Sequence, residues 1–184
     1  MSPKRSPDAR GPHTKENQMP ATNPKEVFVS MLSAEREGAE RTTEILQELS
    51  QSVQNPEIKQ ALEARVFVKN QIVSKLDQVF KLIGEKPVKF SGRLLDVFVE
   101  DFRRELAEIQ SPEARHLFVL AKASHLVHLR IGGYMLLTAA ADLTGNWGVG
   151  VLLESCLADE LAFAERTRRL IRRIVETKIA ARAA

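Results

Sequence analysis

Two imidazoles stand three residues apart in ASHLVHLR. His125 and His128 share one face if this stretch is helical, and that is a metal-ligand spacing. His116 lies on the same stretch. Carboxylates that could complete a set lie elsewhere: Glu160, with Asp159 beside it, in VLLESCLADELAFA, and Glu35, Glu37 and Glu40 in SAEREGAE. Carboxylate oxygens with a few imidazoles suit iron or manganese. A site rebuilt from Glu160, His128, His125 and Glu35 would make a metal-dependent redox or storage protein. The same histidines could instead be hydrogen-bonded in a core or an interface. Glu35, Glu37 and Glu40 could form a solvated helix face, with one residue of helical slip enough to turn Glu35 or Glu40 inward. Asp159 is expected to face outward. The single cysteine, Cys156, excludes an intrachain disulfide and reads as a small buried hydrophobe. No phosphate-binding loop, nucleophile triad or zinc-ligand cluster is present. GYMLL and GNWGVG are loose glycine patterns with no strand before them.

The elements that would position these groups are all helical. Asn23-Pro24, Asn55-Pro56 and Ser111-Pro112 each set a capping side chain before a proline whose φ is already helical and whose missing N–H costs nothing in a first turn. Each precedes a long stretch of 3.6-residue periodicity. Helices are predicted over 24–50, 56–83, 112–143 and 147–180, with a shorter one after Ser91. Gly84 and Gly145 are the stops. The first helix is expected to bury Val27, Met31, Leu32, Ile45, Leu46 and Leu49. The second is expected to bury Leu62, Val66, Val73, Leu76, Phe80 and Ile83, a seam interrupted by Lys69 and Asn70. The short helix carries Leu94, Leu95, Phe98, Phe102, Leu106 and Ile109 on one side. Gly132-Gly133, mid-helix, each cost about 1 kcal/mol relative to Ala, so they predict close helix approach inside the bundle or across a dimer. The short connections force antiparallel pairs, and the segment 84–111 is long enough to cross from one end of a bundle to the other. The fold class is all-α: a ferritin-like four-helix bundle with an additional short helix in its long crossover.

The chain has 184 residues and a formal net charge of +3. Residues 1–22 read as a disordered basic tail, 23–180 as the bundle and 181–184 as a C-terminal tail. The first residues have no apolar core of a secretory signal, and no run approaches a membrane span. With one cysteine, a cytoplasmic setting fits. Positive charge gathers at the ends: Lys4, Arg5, Arg10 and Lys15 in the tail, and seven basic residues against Glu165 and Glu176 in 161–184. That basic end is either a solvated helix face at a favourable pole or a weak contact for nucleic acid or another anionic surface.

NPEIKQALEARVFVKNQIVSKLDQVFKLIGEKP resembles the second helix of the YciE/YciF group of ferritin-like bacterial proteins, most specifically at LDQVFKLIGEKP. HLRIGGYMLLTAAADLTGNW and LLESCLADELAF are similar to its third and fourth helices. The resemblance implies a di-iron carboxylate bundle and a stress-associated bacterial context; a homodimer is expected beside it. It also implies that most ligands are gone. The family's acidic or His/Gln positions fall on Ala39, Phe67, Asn70, Val127, Arg130 and Ala164, and only Glu160 persists. Ala39, Phe67, Val127 and Ala164 would then fill the centre with hydrocarbon, Asn70 would sit in the seam, and Glu160 would take Asn70, His128 or Arg130 as partner. On this reading no cofactor is expected, and the protein is a non-enzymatic binding or structural bundle. Its rivals are the rebuilt iron or manganese site and a nucleic-acid role for the basic termini.

Overall fold

The computed structural model describes residues 23–89, 92–143 and 146–183. The N-terminal tail, Ser91 and Gly145 lie outside them. Five helices occur among the described residues: α1 (Pro24–Gln51), α2 (Pro56–Ile83), α3 (Leu94–Glu108), α4 (Pro112–Leu143) and α5 (Trp147–Ala183). α5 runs through most of the stretch expected to be a C-terminal tail.

The starts obey the capping chemistry. The Asn23 side chain accepts from the Glu26 amide at 3.0 Å, and Asn55 accepts from the amides of Glu57 and Ile58. Ser111 Oγ accepts from the Ala114 amide at 3.3 Å. Gly84 ends α2 at φ 68, a left-handed conformation that costs glycine nothing.

α1, α2, α5 and α4 close a ring in which each packs on its two neighbours, and α3 lies outside against α1 and α4. Ion pairs fix the directions. Lys25–Glu85 and Arg36–Asp77 run α1 and α2 antiparallel, and Lys75–Asp159 and Arg173–Glu57 do the same for α2 and α5. The short connection from Leu143 to Trp147 turns α4 and α5 antiparallel as well, so α2 and α4 point the same way and the crossover must travel the length of the bundle. It does so along α1: the Val88 amide donates to Ser33 Oγ, Asp96 pairs with Arg41, and Arg103 with Glu48. This is the ferritin-like bundle with a helix in its long crossover. Phe102 and Phe118 stack where α3 meets α4, and Lys122 of α4 lies over Phe98 and Phe118.

The core comes in two pieces. One holds Ile45, Leu49, Leu62, Phe102, Leu120, Val127 and Phe163, the other Leu32, Ala39, Leu76, Phe80, Tyr134, Leu153 and Cys156. Several expected seam residues differ. Val27 is exposed, and Met31, Val66, Val73 and Ile83 are only partly buried. On α2 the inward line runs Ile58, Leu62, Arg65, Lys69, Ile72, Leu76 and Val79, steps of three and four residues that define one face. The face is rotated from the expected one because Val66 and Val73 flank it rather than centre it.

Candidate functional site

Between the two apolar clusters lies a layer of charge, to which each bundle helix contributes at the middle of its inward face. α1 gives Glu35, α2 gives Arg65 and Lys69, α4 gives Arg130 and α5 gives Glu160. All five are buried, and Glu160 is 0% exposed. Lys69 Nζ donates to Glu160 Oε1 at 2.5 Å, and Arg65 Nη2 forms an ion pair with Glu160 Oε2. Arg65 also donates to the Asp159 carbonyl at 3.0 Å and lies over the Phe163 ring. Across the bundle, Arg130 Nη1 donates to Glu35 Oε2 at 2.9 Å.

Two glycines make room for that second pair. A Cβ on Gly38 would fall 1.8 Å from Arg130 Nη2, and one on Gly133 would fall 2.0 Å from Glu35 Oε1. Gly133 of α4 is thus explained by the carboxylate lying on it, whereas Gly132 faces open space.

Burial makes this layer costly to charge. Desolvation raises the Glu35 pKa, with Arg130 opposing it. Desolvation lowers Lys69 to about 8, although Glu160 opposes the fall. Tyr134, buried beside the layer, is raised well above its ordinary value by burial and then by Glu35. Its hydroxyl and the Nε atoms of Arg65 and Arg130 have no hydrogen-bond partner among the described residues. Burial pushes the Cys156 thiol up to about 12, which keeps it protonated and inert.

The sequence-derived candidates divide. Glu35 and Glu160 reach the layer, at separate cationic partners. His125 and His128 are exposed on α4, with His128 Nδ1 2.8 Å from the Ser124 carbonyl oxygen. Glu37 and Glu40 are also exposed. Ala39 and Val127 are buried as expected, and Ala164 is partly buried. Phe67 is not inward: it is 66% exposed. Asn70 is likewise on the surface and no seam residue. Both are displaced because the face of α2 is centred on Arg65 and Lys69. Glu160 therefore takes these two as partners in place of Asn70, His128 or Arg130. Asp159 is half-buried and held by Lys75 at 2.8 Å.

A di-metal centre needs several carboxylates converging on one point. Here two carboxylates reach the layer against three cations, each carboxylate is held by a guanidinium or ammonium, and the candidate imidazoles stand outside. No group of three or more His, Cys, Asp or Glu able to hold a metal ion occurs among the described residues. The residues present do not fit such a centre. Arg65 and Lys69 were not among the expected site residues, although the apolar steps Leu62 to Ile72 bracket them.

An all-α bundle with a helix-bearing crossover and a mid-bundle polar layer defines the class. The chain belongs to the family described as Domain of unknown function (DUF892), whose model matches residues 23–180. Among solved structures it is similar to the Escherichia coli stress protein YciF, with 21% identity and a TM-score of 0.80 over 85% of this chain and 99% of that one. YcfI of Rhodopseudomonas palustris matches at 20% identity and a TM-score of 0.78, over 82% and 96% of the two chains. A protein of Xanthomonas campestris matches at 17% identity and a TM-score of 0.67, over 87% and 98%. No curated protein matches. No helix among the described residues is long and apolar enough to cross a membrane.

Proposed function

We propose that this protein is a non-enzymatic binding or structural member of its family, in which cationic side chains hold together the place where the resemblance implies metal. One observation carries the reading: Glu160, fully buried, is clasped by Arg65 and Lys69. A divalent ion brought to Glu160 would have to displace or approach two buried cations, and Coulomb repulsion at such separations is several kcal/mol even at an effective dielectric near 20, about 4 kcal/mol per pair of unit charges at 4 Å.

The same reading places the protein in the cytoplasm in a stress-associated setting, as the description of YciF as a stress protein suggests. It also takes the protein as a homodimer. The exposed side of α4 carries Leu129, Met135, Leu136 and Ala139, and an apolar groove beside it is lined by Val27, Phe28, Met31 and Leu136. An uncharged stripe of that kind suits a second copy.

Metal analysis of protein purified from iron- and manganese-supplemented medium, paired with light scattering of the eluted species, tests both parts. Substoichiometric metal and a dimer mass are expected. Stoichiometric iron or manganese would return the rebuilt-site reading, and a monomer at micromolar concentration would remove the dimer.

A further inference from the structure

The second half of α5 carries a concentration of charge that the central layer does not use. Arg166, Arg168, Arg169, Arg172 and Arg173 are all exposed. Glu165 neutralises part of this, bonded to Arg168 and Arg169, and Glu57 pairs with Arg173. Arg166 and Arg172 have no acidic partner among the described residues. The pairing with Glu57 also sets a level: Glu57 lies in the first turn of α2, yet α5 continues from Arg173 to Ala183. That is about 15 Å of helix at 1.5 Å per residue.

We propose that this arginine face binds the phosphate backbone of duplex nucleic acid. The residue type favours it, because guanidinium forks pair bidentately with phosphate oxygens. Surface positions three and four apart on a helix lie about 5–6 Å from one another, so several arginines can engage one backbone together. The alternatives are weaker on specific grounds. A helix that lies in a lipid surface needs a free apolar face. Here Phe163, Leu170, Ile171 and Ile174 already pack into the bundle. Single strands are gripped by aromatic stacking, but residues 166–183 hold no aromatic and Phe163, just before them, is buried. Binding through backbone phosphates alone carries no sequence preference and falls steeply with salt.

The test is fluorescence anisotropy of a labelled duplex with the full chain, titrated at several salt concentrations. Binding at low salt with a linear fall of log affinity against log salt is expected. An Arg166→Gln, Arg169→Gln, Arg172→Gln variant should bind at least tenfold more weakly at low salt, with the slope reduced by roughly 0.9 for each phosphate no longer neutralised. A charge-matched variant at the opposite end of the bundle, Lys81→Gln, Lys86→Gln, Lys89→Gln, should bind as the parent does. Circular dichroism confirms that both variants are folded. Three results would overturn the proposal: no salt-sensitive duplex binding, equal loss in both variants, or tighter binding to phosphatidylglycerol vesicles than to duplex.

Discussion

Lys69 and Glu160 meet at 2.5 Å in the middle of the bundle, on facing helices, where neither exceeds 1% exposure. Arg65 closes on the other oxygen of the same carboxylate. Removing one member of such a set leaves a buried charge uncompensated, whereas replacing the whole set with hydrocarbon removes the desolvation cost. Glu160→Ala should therefore destabilise the protein by about 3–5 kcal/mol. The triple change Arg65→Met, Lys69→Met, Glu160→Leu should range from neutral to more stable than the parent by about 1–4 kcal/mol. Urea midpoints at pH 7 check both, and a triple variant as weak as the single one contradicts the pairing.

The two glycines of α4 should respond in opposite directions. Gly132 faces open space, so Gly132→Ala should gain up to about 1 kcal/mol from helix propensity alone. Gly133→Ala drives a methyl into the Glu35 carboxylate, and Gly38→Ala drives one into the Arg130 guanidinium. Both should lower the melting temperature, because displacing either group breaks a buried pair. Equal effects at Gly132 and Gly133 would show that Glu35 does not lie there.

Tyr134 keeps a buried hydroxyl without a hydrogen-bond partner among the described residues. An unsatisfied buried polar group costs about 1–3 kcal/mol. Tyr134→Phe retains the ring and discards that cost, so thermal unfolding should show a gain of about 1 kcal/mol. A loss of similar size would mean that the hydroxyl is satisfied.

The dependence on pH has a defined sign. Lys69 titrates at about 8 in the folded chain against an ordinary 10.5. Between those values the unfolded chain binds more protons, so stability should rise with pH above 8. Cys156 works oppositely: burial holds it at about 12 against an ordinary 9.0, so the folded chain keeps an extra proton above pH 9. Urea midpoints should therefore climb between pH 8 and 9, on the order of 1 kcal/mol, and then level. Cys156→Ala should go on climbing toward pH 10. Lys69→Met should show no rise and should decline above pH 9. A parent curve that falls from pH 8 onward contradicts the buried ammonium.

Much of the frame was legible because caps and prolines are local signals. Asn23, Asn55, Ser111 and Gly84 marked helix ends without any tertiary information. The central layer was harder. Hydrophobic patterning counts apolar residues, so Val66 and Val73 pulled the inferred face of α2 toward themselves, while Arg65 and Lys69 at its true centre added nothing. Matching the chain to ligand positions of the family compounded this by turning Phe67 and Asn70 inward. The signal was reciprocal and non-local: a cation in the apolar seams of α2 and α4 and an acid in those of α1 and α5. Gly133 stood out in the sequence as costly, but its reason, the carboxylate of Glu35, belongs to another helix.

The central claim is that ion pairs between side chains occupy the middle of this bundle. A crystal structure with anomalous data at the iron and manganese edges, from cells supplied with both metals, tests it most directly. The account predicts no anomalous peak among α1, α2, α4 and α5, with Arg65, Lys69 and Arg130 seated on Glu160 and Glu35. Two peaks within bonding distance of those carboxylates, and the cations swung aside, would contradict it.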